Sequence, residues 1–357
     1  MKKIKHILPK ESYFIPNHSI LFDIETLGFS SKYQPIYMIG YAYSSNNQTY
    51  LYQLFSESND DEINLLNEFL HKLHSFQTMI TFNGQMFDIL YIKNRCKLYD
   101  LDVDFSYFES IDLFLQAKKL SKIIALDHYK QKNLEEFLGI HREEYISGGE
   151  LISVYKKYLQ HSSKEDLDML LLHNYEDVLY MIPLMKLLHY EMNLKDTSNS
   201  FNFKYESDQR IFFYKEVLTD FPVTIYYETD TMFIQLKKNI IQGSLKLYQG
   251  TLKYFFSNTK DYVYLTKDEM ILPKQLADNI PASEKCVAKK EQCFAPCEGL
   301  FLNLFFTDQS KLHLQNEKIY QSEYTDKKRY IKIDPDNISP EWLNHYLSLS
   351  IPLLLLK

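Results

Sequence analysis

At 357 residues, with 45% hydrophobic and 24% charged side chains, the chain is long enough for two domains and a substantial buried core. A net charge of −7 argues against a protein that works only by coating nucleic acid, but not against an enzyme whose acidic site gathers metal ions. Cys96, Cys286, Cys293 and Cys297 are too few for a disulfide framework, no apolar signal core follows Met1-Lys2-Lys3, and the closing run 351–356 is too short to span a bilayer. These features predict a cytoplasmic protein that does not engage a membrane.

In chain order, residues 18–55 read as a meander: a strand Ile20–Asp23, a turn between Gly28 and Pro35, a strand Ile36–Tyr43, a turn at Asn46-Asn47, and a strand Thr49–Phe55. Asp60-Asp61-Glu62 opens a helix whose apolar face carries Ile63, Leu66, Phe69, Leu70 and Leu73. A short strand 78–82 precedes a break at Asn83-Gly84 and a helix over 86–98. Asp112 is placed to cap a helix running through Leu120. Gly139 stops a helix over 134–138, and helices over 150–160 and 164–190 complete the half. Strands interleaved with helices predict an α/β domain over residues 1–195. The polar stretch after it opens a second domain, 196–357, whose short strand-like runs predict a mostly β accessory domain of unknown role.

The chemistry concentrates in the first half. Strand side chains alternate faces, so Asp23 and Glu25 project from one side of a strand. Two neighbouring carboxylates repel each other unless a cation sits with them, and hard divalent ions take oxygen ligands of this kind. Asp88 falls in the first turn of a helix, where a negative charge is favoured. Much further on, His173 and Asp177 stand four apart on one helix face.

Asp23-Ile24-Glu25-Thr26, then Asn83 to Asp88, then His173 to Asp177 together resemble the DEDD (DnaQ-like) 3′–5′ exonuclease superfamily, of ribonuclease H-like fold. More narrowly, with Ile111-Asp112-Leu113, Leu134-Glu135-Glu136-Phe137-Leu138-Gly139 and Ile146-Ser147-Gly148, the pattern is similar to the YprB-type predicted exonuclease branch. The resemblance covers about residues 18–190. It implies a mixed sheet of about five strands flanked by helices, and two divalent cations, Mg²⁺ or Mn²⁺, roughly 4 Å apart on the scissile phosphate. It further implies that Asp23 bridges both ions, that Glu25 and Asp177 ligate the ion on the nucleophile side, and that Asp88 holds the other. His173 would orient or deprotonate water. The substrate implied is a single-stranded DNA or RNA end, with Thr26, Leu27, Phe82, Asn83 and Phe87 around the terminal nucleotide.

One position departs from the superfamily. A catalytic tyrosine stands four residues before the last Asp, and a catalytic histidine five before; here a histidine, His173, takes the four-residue place. Either His173 substitutes, or Tyr175 takes part, or the water is poorly held. The alternative class is a catalytically weak nucleic-acid-binding module on the same fold. Cys286, Cys293 and Cys297, with His313, lack the paired spacing of a structural zinc site.

Overall fold

The computed structural model describes residues 1–9, 13–142, 148–206, 209–306 and 318–357. Ile146, Ser147 and His313 therefore lie outside the described residues. The chain divides into two compact units, Met1–Tyr190 with Lys357, and Glu191–Leu356, against a sequence-suggested break after residue 195.

In the first unit the strands are β1 (Lys2–Leu8), β2 (Ser19–Thr26), β3 (Ile36–Ser45) and β4 (Gln48–Phe55). After them come α1 (Glu62–Leu73), β5 (Thr78–Thr81), α2 (Asp88–Leu98), β6 (Glu109–Asp112) and α3 (Leu113–Lys119). The remaining helices are α4 (Gln131–Phe137), α5 (Gly148–His161), α6 (Lys164–Leu184) and α7 (Leu188–Lys195), the last running past the division between units. The strands make one mixed sheet in the order β1-β4-β3-β2-β5-β6; β2, β5 and β6 are parallel and the other pairings antiparallel. This is the ribonuclease H-like architecture expected from the sequence.

The sheet has six strands rather than about five. β1 is the addition, and its lysines hide it from a search for apolar alternation. They suit a sheet edge, where charge discourages pairing with another chain, and Lys5 lies over the Tyr50 ring of β4 at 4.5 Å. Two helix bounds also differ. Asn83, at φ 60°, holds 83–87 as a turn, so the helix starts at Asp88 and not at 86. Pro183, which removes a helical hydrogen bond, lies in the last turn of α6, and the chain tightens through Met185–Leu187 before α7.

Period-two alternation in β2 decides what each face of the sheet meets. Ile20, Phe22 and Ile24 join Leu65, Leu66 and Phe69 of α1 and Tyr91, Ile92 and Cys96 of α2 in one core. On the other side Tyr37, Met38 and Phe55 pack with Leu151, Tyr155 and Tyr158 of α5 and Leu170 of α6. Asp23 and Glu25 belong to the alternate set of β2. Gly40 of β3 pairs with Asp23, and a Cβ there would come within 2.2 Å of Asn174 Oδ1 and 2.7 Å of Val178 Cγ2. The missing side chain is what lets α6 settle onto the strands.

In the second unit β7 (Asn202–Glu206), β8 (Arg210–Glu228) and β9 (Met232–Lys246) form one antiparallel sheet. β10 (Tyr248–Phe255) follows, then β11 (Tyr262–Leu265), β12 (Met270–Pro273), β13 (Lys285–Val287), β14 (Phe294–Leu304), β15 (Ile319–Gln321) and β16 (Arg329–Ile333). β10, β14, β16 and β15 close a small barrel, and β12-β11-β13 make a separate sheet. The closing apolar run belongs to α8 (Pro340–Leu355), which Ser339 caps and which buries Leu343, Tyr346, Leu347 and Ile351. The sequence reading placed no helix here, although Ser339 before Pro340 and Glu341 is a local helix-start signal. Among the described residues, no helix is long and apolar enough to cross a membrane.

Gly40→Ala is expected to destabilise the first unit by about 1–3 kcal/mol, the usual cost of forcing a methyl into a packed contact. Urea unfolding of the variant beside wild type measures it. An unchanged midpoint would mean that α6 does not depend on this contact.

Candidate active site

β2 delivers Asp23 and Glu25, α2 delivers Asp88 at its N-terminus, and α6 delivers His173, Asn174 and Asp177. His173 Nε2 lies 3.1 Å from Asp177 Oδ2 and 3.5 Å from Glu25 Oε1, and the side chain is buried. Ligand atoms of Glu25, His173 and Asp177 all fall within 4.8 Å of one another. Asn174, fully buried, donates Nδ2 to Asp23 Oδ2 at 3.3 Å, and its own Oδ1 accepts from Gln53 Nε2 at 3.2 Å. Asp88 Oδ1 accepts the backbone N–H of Ile24 at 3.0 Å, which fixes the start of α2 against the strand between the two acids.

The electrostatics follow from this crowding. Burial, then the charges of Asp88, Asp177 and Glu25, push the carboxyl of Asp23 well above the usual carboxylate range. Asp88 is pushed up to about 7, chiefly by burial, against the opposing pull of the Ile24 N–H. Asp177 goes the other way: burial disfavours its charge, but the His173 hydrogen bond and Arg142 outweigh burial and hold it below the usual range. Arg142 donates Nη1 to Asp177 Oδ1, so both oxygens of Asp177 are engaged.

This donor set fits divalent cations. Four carboxylates against the single guanidinium of Arg142 present the hard oxygen ligands that divalent cations take, and the upward pressure on Asp23 and Asp88 is relieved by a cation. Asp177 is the exception, since an ion there shares it with Arg142 and His173.

The supporting residues divide. Thr26 Oγ1 donates to the Gly28 carbonyl at 2.9 Å, and Leu27 packs against the α5/α6 core. Asn83 donates its backbone N–H to Asp112 Oδ1 at 2.9 Å, and Gln85 donates to Oδ2 at 3.2 Å, while Asp112 also caps α3. Asp112 is therefore a structural clamp on the turn before Asp88. Phe82 and Phe87 are half-buried; Phe82 meets Phe114, and Phe87 lies edge-on to Phe29, which is 90% exposed. The Tyr175 ring meets that of His6 of β1, tilted by 54° with centroids 4.7 Å apart. The tyrosine beside the carboxylates is Tyr37, whose hydroxyl is pushed up by burial and then by the charge of Glu25. Sequence reasoning missed Asn174, Arg142 and Tyr37, because nothing local marks a buried amide, a returning loop or a neighbouring strand as part of one site.

Residues 20–189, from the start of β2 into α7, match the family model of the RNase_H superfamily, RNase_H_2. The fold of that stretch is ribonuclease H-like. No curated protein matches the chain. Among solved structures the chain is similar to the family B DNA polymerase from the hyperthermophilic archaeon Pyrobaculum calidifontis. That likeness has 15% identity and a TM-score of 0.40, over 70% of this chain and 36% of that one.

Without added metal, the raised acids make stability fall as pH rises. A folded Asp88 titrating at about 7 holds its proton more tightly than an unfolded one at 3.8, so native stability is lost between about pH 4 and pH 7. Asp88→Asn keeps the acceptor for Ile24 and removes the charge. It should raise metal-free stability at pH 8 by about 2 kcal/mol and flatten that pH dependence. Thermal unfolding from pH 4.5 to 8 in chelator tests this; parallel curves for the two proteins would rule it out.

Proposed function

We propose that the first unit is a divalent-metal-dependent nuclease, a 3′–5′ exonuclease of the DEDD type acting on single-stranded DNA or RNA ends. The observation that carries this reading is Glu25, His173 and Asp177 within 4.8 Å of one another, with buried Asp23 and Asp88 both feeling the charge of Asp177, on a ribonuclease H-like sheet. Two bound Mg²⁺ or Mn²⁺ ions would supply charge for the scissile phosphate, activation of water, and stabilisation of the leaving 3′-oxygen.

Asp23, which feels the other three charges, would hold both ions; Glu25 and Asp177 would hold the one on the nucleophile side, and Asp88 the other. His173 would take the proton of the attacking water as the P–O3′ bond breaks, since an imidazole titrates near neutral pH. His173, and not Tyr175, is the residue in contact with the acids. Around the terminal nucleotide the proposal sets Thr26, Leu27, Phe82, Asn83 and Phe87, with exposed Phe29 offering a face for an unpaired base. The second reading, a nucleic-acid-binding module with weak chemistry, has one observation in its favour: both oxygens of Asp177 already hold partners.

With end-labelled single-stranded DNA and RNA in Mg²⁺ or Mn²⁺, wild type should shorten the strand from its 3′ end. Chelator should stop the reaction, and Asp23→Asn should slow it by about a thousandfold or more. Degradation that survives Asp23→Asn defeats the site, and binding without degradation in either metal favours the second reading.

His173→Ala is expected to lower kcat by about 10²–10³ with little change in KM, and His173→Tyr to recover part of the loss. If both variants keep wild-type kcat, His173 is not the base.

A further inference from the structure

Glu135 and Arg142 belong to no step of the proposed reaction, yet they are among the most buried charges of the first unit. Glu135 is 1% exposed, and Arg142 donates to it by two parallel bonds, Nε to Oε2 and Nη2 to Oε1, both 2.6 Å. The remaining guanidinium nitrogen, Nη1, donates to Asp177 Oδ1. The guanidinium carbon also lies 5.7 Å from the ring centre of Tyr180, three residues beyond Asp177 on α6.

The chain builds this contact locally. Gly139, at φ 75°, ends α4 in a left-handed turn in which its N–H bonds the Glu136 carbonyl and the Ile140 N–H bonds the Glu135 carbonyl, both at 2.9 Å. The turn sends residues 140–142 back along the helix, so that Arg142 meets Glu135, seven residues earlier. Gln131 Nε2, from the first turn of α4, donates to the Asp177 carbonyl at 2.9 Å. Side chain and main chain of Asp177 are thus both held from the α4 segment.

An arginine beside a carboxylate cluster ordinarily weakens that cluster's attraction for cations, because its charge cancels one of theirs. Here Glu135 takes the arginine's charge through a fork-to-fork pair, the strongest geometry open to these groups. We infer that Glu135 and Arg142 form a charge-balanced positioning relay: Arg142 fixes the direction of Asp177, and Glu135 neutralises Arg142 so that Asp177 still attracts a divalent cation. The inference rests on the metal-site part of the proposed function but needs no nucleic acid.

The test measures Mn²⁺ binding to the purified full chain by calorimetry and by Mn²⁺-dependent thermal stabilisation, with Asp23→Asn as the site control. Glu135→Gln leaves Arg142 uncompensated and should weaken Mn²⁺ binding by about tenfold or more. Glu135→Gln with Arg142→Gln should restore much of that affinity, a recovery that loss of packing alone does not produce. Circular dichroism in chelator checks that each variant is folded; a misfolded Glu135→Gln is replaced by Glu135→Asp, which keeps the charge and should keep the affinity. The relay is overturned if Glu135→Gln binds Mn²⁺ as wild type does, if the double variant is weaker than the single, or if wild type binds no Mn²⁺. Normal Mn²⁺ binding that responds to Glu135→Gln in a chain that degrades no nucleic acid would leave the relay standing and remove only the nuclease reading.

Discussion

Like charges held close together inside the first unit are the constraint around which the rest is arranged. Asp23 and Asp88 are buried, each feels the other carboxylates, and both are pushed toward holding a proton. Nothing in folding alone calls for such a cluster, since apolar side chains at the same places would cost less. The protein contains the repulsion with named contacts: the Ile24 N–H on Asp88, Asn174 on Asp23, and His173 with Arg142 on Asp177. Stability given up at one place and held by surrounding structure is the pattern of a functional site.

The rest of the unit serves that containment. Gly40 removes one side chain from β3 so that α6 can bring Asn174 to Asp23. Asp112 closes the turn before α2, so Asp88 enters at a fixed place. The loop from β2 to β3 is tied down as well: Tyr91 donates to the carbonyls of Gly28 and Gln34, and Arg95, paired with buried Glu62, reaches the Ser31 carbonyl. Phe29 is therefore exposed on a loop held at several points.

Much of this was legible in advance because the relevant signals are local. The alternation that puts Asp23 and Glu25 on one face, the acid opening α2, the Asp112 cap and the spacing of His173 and Asp177 are short-range patterns. Patterns that depend on distant partners were not legible. β1 is a strand because β4 offers an edge and tyrosine rings for its lysines.

By itself the sequence determined the alternating α/β order of the first half, the resemblance to a ribonuclease H-like family, and the residue types at the acidic positions. Those follow from side-chain periodicity and from residues a few positions apart. Only the tertiary structure decided which groups share the site. It set Tyr175 on His6 and His173 between Glu25 and Asp177, and it joined Glu135 and Arg142 to an acid some forty residues away. The physical reason is that hydrogen bonds and charge interactions act through space over a few ångströms, and the chain positions that come so close are fixed by how the helices pack on the sheet.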